Sequence, residues 1–116
     1  MAVISFAEHD PERTWCVADW AFRQVLDDIM SEYPEDIELC EKFEQSKATK
    51  GLILDLLTPE FAARITGAIE QVASGILSGT IRSGIHSQTY GDTVTVEQYR
   101  NGLQKLLDAI PPNVEA

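Results

Sequence analysis

The sequence predicts an all-α fold, a compact bundle of about four to six helices forming a single domain over residues 1–116, with a long polar loop before the last helix. Three observations predict it. Proline follows a capping residue at Asp10-Pro11 and Thr58-Pro59, apolar residues recur at three- and four-residue steps, and 44% hydrophobic against 24% charged residues is globular composition. At 116 residues the chain can bury one core without metals or cross-links.

The first helix is expected to open at Asp10, whose carboxylate can accept backbone N–H groups while Pro11 fills the first helical position, where a missing donor costs nothing. Trp15, Ala18, Phe22, Val25, Leu26, Ile29 and Tyr33 then lie along one stripe and carry the helix to about residue 32. Pro34 pushes its predecessor out of the α region, and the acidic turn Glu35-Asp36 suits the positive end of a second helix over about 35–48, closed by Gly51. The apolar positions Ile37, Leu39, Cys40 and Phe43 form a narrow stripe, which leaves most of that helix to solvent or a partner.

Residues 52–57 are too short and too continuously apolar for periodicity to separate a buried strand from helical turns; the helical surroundings favour helix. Thr58-Pro59-Glu60 opens the central helix, along which Phe61, Ile65, Ala68, Ile69, Val72, Ala73, Ile76 and Leu77 form the best amphipathic pattern in the chain. Gly75, Gly79 and Gly84 weaken a helix that Leu77, Ile81 and Ile85 would continue, so residues 77–85 either extend it or use the glycines for a close crossing. Residues 83–93 read as a polar loop. Thr95 and Gln98 form a capping box for the last helix, with Val94 and Tyr99 as its hydrophobic staple. Tyr99, Leu103, Leu106, Leu107 and Ile110 line that helix until Pro111-Pro112 ends it.

Charge narrows the function classes. With 19 acidic against 9 basic residues the net charge is −10, which repels nucleic acid and an anionic membrane surface alike. No segment approaches a membrane span and the first residues lack a secretory pattern, so a cytoplasmic protein is expected, with Cys16 and Cys40 as reduced core thiols. No cofactor is expected. Glycines 75, 79 and 84 follow no strand-and-lysine pattern for phosphate, and no Gly-x-Ser-x-Gly elbow occurs. A metal-dependent hydrolase would have to draw on His9, among Glu8, Asp10 and Glu12, together with His86. Their spacing matches no ligand motif, and a helix cap with surface histidines accounts for them. The chain is therefore read as a binding protein rather than an enzyme.

Negative charge is concentrated. Between residues 27 and 44, eight carboxylates (Asp27, Asp28, Glu32, Glu35, Asp36, Glu38, Glu41 and Glu44) face one base, Lys42, a net of −7. The plain alternative is a solvated helix face, because acidic residues solubilise. Like charges one turn apart nevertheless cost stability, and a basic partner would turn that cost into attraction. Tyr33, in the middle of the run, suits an interface anchor or a half-buried core tyrosine. The partner-binding candidates are thus Asp27, Asp28, Glu32, Tyr33, Glu35, Asp36, Glu38 and Glu41, and the expected partner is a basic protein. In composition and expected architecture the chain is similar to small acidic helical immunity proteins, which implies an inhibitor covering a cationic nuclease toxin; no motif is shared. The alternative is a helical adaptor or self-associating bundle using residues 52–57 and 77–85.

Overall fold

A computed structural model describes residues 2–7, 10–84 and 93–110. The fold is mixed α/β, which corrects the all-α expectation: among the described residues four helices pack with a three-stranded sheet. Strand β1 spans Ala2–Ser5, β2 Thr14–Val17 and β3 Gly51–Ile53, and the helices are α1 Asp19–Glu32, α2 Ile37–Thr49, α3 Pro59–Ser78 and α4 Thr93–Ala109. The sheet order is β2-β1-β3, antiparallel on one side of β1 and parallel on the other. The parallel pair needs a long crossover, which β2, α1 and α2 supply.

The register explains why strands win. Ile4 sits opposite Trp15 on one side and Leu52 on the other, and all three are buried, so one row of large side chains runs across the sheet. Cys16, the next residue along β2, points outward and is exposed, which corrects its reading as a core thiol; Cys40 is half-buried. Asp10 does cap, accepting from the Glu12 N–H at 3.0 Å, but it closes only the 3-10 turn Pro11–Arg13. Thr14-Trp15-Cys16-Val17 has strand composition, and pairing with β1 outweighs four more residues of helix. The Trp15 indole N–H then donates to the Gly102 carbonyl at 3.0 Å, tying β2 to α4.

Residues 52–57 likewise form strand and then the 3-10 turn Leu54–Leu56, not the helix expected. Lys50, in left-handed conformation at φ 61°, is the residue that ends α2, and Gly51 opens β3 instead of closing the helix. The central helix is as the pattern requires, with the Thr58 hydroxyl accepting from the Phe61 N–H at 3.3 Å. It runs through Ser78 and stops at Gly79, whose φ of 89° suits glycine, so residues 79–84 do not continue it. Ile81 folds back onto Gly75, where a Cβ would lie 2.5 Å from the Ile81 Cδ1. Arg100 of α4 caps the same helix end, donating to the carbonyls of Ile76 and Leu77 at 3.1 and 2.7 Å.

Helix α3 packs on α1 and α4, α1 reaches β1, and α2 packs on α1 and β3. Phe22, Val25, Leu26, Ile29, Phe43, Ile65, Ile69, Val72, Leu103 and Leu106 are fully enclosed. Helix α4 begins two residues before the expected Thr95. The side chains that would form the Thr95 capping box and the Val94 staple are not described, and the polar loop beyond residue 84 and Pro111-Pro112 lie outside the described residues.

Candidate functional site

The acidic run occupies the corner where α1 hands over to α2. Tyr33 ends α1, Pro34 turns the chain, and Asp36 caps α2 by accepting from the Leu39 N–H at 3.2 Å. The fold sorts the eight candidate residues four ways. Asp36 and Glu38 grip one guanidinium, that of Arg64 on α3, at 2.7 and 2.9 Å, and Asp27 is ion-paired with Lys47, which also reaches Glu44 at 3.5 Å. Asp28 turns inward. Glu32, Glu35 and Glu41 stay exposed, with no ion pair among the described residues. Tyr33 is half-buried and its hydroxyl donates to Gln71 Oε1 at 2.5 Å, so it fastens the corner to α3.

Arg64 lies over the Phe61 ring, 5.1 Å from its centre, which holds the guanidinium in place for both carboxylates. Beside it the Asp36 carboxyl is held below its ordinary value; partial burial works against this and the Leu39 N–H works with it. A lowered carboxylate value means stability that is present above the unfolded value of about 3.9 and lost as pH falls through the folded one. We therefore expect wild type to exceed Asp36→Asn, which keeps a capping oxygen, by a constant margin above about pH 5. That margin should shrink below about pH 4 in urea titrations of the two proteins. A margin that grows on acidification would contradict the ion pair.

Helix α2 also carries one outward stripe. Ile37, Cys40, Glu41, Glu44 and Gln45, spaced for a single helix face, line a shallow depression with Pro34. Ile37 is 69% exposed at its rim. Lys42 is the local base, and its amine donates to Gln45 Oε1 at 3.3 Å.

The second polar grouping is inside. Asp28, 5% exposed, accepts at Oδ1 from Gln24 Nε2 at 2.9 Å and the Gly84 N–H at 2.8 Å, and at Oδ2 from the hydroxyls of Ser83 at 2.5 Å and Tyr99 at 2.6 Å. Burial first, and then the Asp28 charge, push the Tyr99 hydroxyl far above its ordinary value, so it stays a donor. A carboxylate saturated by four donors joins α1, the chain beyond α3, and α4. It is a structural lock, out of reach of a partner. A signal for this was present: Asp28 lies three residues after Val25 and beside Ile29, on the apolar stripe of α1, with Gln24 one turn before it.

His9 and His86 lie outside the described residues, and no group of three or more metal-binding side chains occurs among the described ones. No helix among them is long and apolar enough to cross a membrane. No protein-family model matches the chain, nor does any curated protein or solved structure at a significant level.

Proposed function

We propose that this protein is a small acidic binding protein that covers a basic surface on another protein, in its most concrete form an immunity protein that neutralises a cationic nuclease toxin. The observation that carries the reading is the set of exposed carboxylates Glu32, Glu35 and Glu41, without an ion pair among the described residues, at one corner of a chain of net charge −10. Arg64 and Lys47 offset part of the run and hold it in shape, leaving these three as the outward field. A nuclease site is positive in order to hold phosphate, so such a field steers association and rejects acidic partners without any chemistry by the inhibitor.

The test uses the three free carboxylates, because reversing Asp36 would remove a helix cap and an ion pair at once. Wild type and the triple variant Glu32→Lys, Glu35→Lys, Glu41→Lys, checked for equal folding by circular dichroism, are immobilised and exposed to lysate of the native cells. A basic protein should be retained by wild type at about 50 mM salt, released by about 500 mM, and not retained by the variant. Equal retention by the variant, or retention indifferent to salt, contradicts the reading.

One observation favours an adaptor as a second reading. Phe6, Leu54, Ala62, Leu107 and Ile110 line one groove together with Asp55, Thr66 and Glu70, and Leu56 beside it is 74% exposed. Binding led by the apolar side chains of that groove would depend less on salt than binding at the acidic corner, which separates the two.

A further inference from the structure

Among the described residues the exposed large hydrophobics are Trp20, Ile37 and Leu56, and of these Ile37 stands within the acidic corner. It occupies the first position of α2, so helix formation does not require a large apolar side chain there, and the core takes Leu39 and Phe43 from this helix instead. Pro34, Ile37 and Cys40 supply apolar surface in the depression, and Glu41 and Glu44 supply charge at its side. Glu44 is shared with Lys47, and Lys42 is engaged with Gln45, which leaves Glu41, with Glu35 in the turn just before the helix, for external cations.

We infer that this depression seats one aliphatic side chain of a cationic segment, with lysines or arginines on both sides of that side chain reaching Glu35 and Glu41. The inference rests on the charge-steered reading above and names the partner's chemistry: a basic stretch interrupted by a single apolar residue. Charge complementarity selects the basic flanks, because an acidic or phosphorylated segment would meet the same carboxylates with repulsion. The apolar seat adds what charge alone does not, a contact that salt leaves in place and that fixes register along the helix.

The test titrates the isotope-labelled full chain, followed by amide chemical shifts at about 50 mM salt, with three capped peptides: Lys-Lys-Leu-Lys-Lys, Lys-Lys-Ser-Lys-Lys and Glu-Glu-Leu-Glu-Glu. The leucine peptide should shift amides of residues 34–45 and bind roughly 3- to 10-fold more tightly than the serine peptide, while the acidic peptide leaves the corner unmoved. In Ile37→Ser, a change at an exposed position, that preference should vanish while the serine peptide binds as before. Equal binding of the two basic peptides at the corner overturns the apolar seat and leaves the charge-steered reading standing. If neither basic peptide moves the corner, both fall; if the leucine peptide settles instead in the groove of Leu54 and Ile110, the seat is wrong.

Discussion

Replacing Asp28 with alanine should destabilise the protein by about 3–5 kcal/mol, as read from urea unfolding at neutral pH. The residue is 5% exposed and its two oxygens are the meeting point of donors from Gln24, Ser83, Gly84 and Tyr99. Removing the acceptor takes from the Tyr99 hydroxyl, on a side chain only 2% exposed, the carboxylate it donates to, and opens a void between α1 and α4. Asp28→Asn should fall between wild type and alanine, because one oxygen survives while the new amide confronts hydroxyl donors. A double-mutant cycle of Asp28→Asn with Tyr99→Phe should show coupling of about 1–3 kcal/mol. Additive losses would mean that the hydroxyl and carboxylate do not depend on one another.

What could be read from the chain follows from how local each cause is. Thr58-Pro59 and the stripe from Ile65 to Ile76 place the start and body of α3, because cap and periodicity both lie within the segment, whereas its end at Ser78 stays open in the sequence, where Leu77, Ile81 and Ile85 keep the helical step. The first helix is legible only from Phe22 onward. Asp10-Pro11 is a real turn signal, yet the four residues after it answer to β1, and nothing local records that Ile4 will lie between Trp15 and Leu52. Short strands carry too few residues for a period of two to assert itself, so long-range pairing decides them.

The candidate site shows the same division. Composition locates the acidic corner, since charge is counted along the chain, but not which carboxylates face outward. Arg64 lies 28 residues beyond Asp36, and only the packing of α3 brings it to the corner. The run of eight acids therefore resolves into an inner lock at Asp28, braces at Asp27, Asp36, Glu38 and Glu44, and an outer field at Glu32, Glu35 and Glu41. Surface ion pairs contribute little to stability, so the braces matter chiefly as position.

Phe43→Ala should cost about 3–5 kcal/mol, and the loss should appear first as local opening of α2. That helix buries only Leu39, Phe43 and Ser46, so removing the phenyl ring leaves Leu39 as its one large buried anchor against α1 and β3. Amides of α2 should exchange at a markedly lower free energy than those of Ile65 to Ile76 in α3, which rest on a separate and larger buried face. Equal losses in both helices would show that α2 does not open on its own. Ile37→Ala, on the opposite side of the same helix, should stay within about 0.5 kcal/mol of wild type. The contrast separates two faces of one helix: an inner face whose large side chain holds the corner together, and an outer face whose large side chain the fold leaves unused.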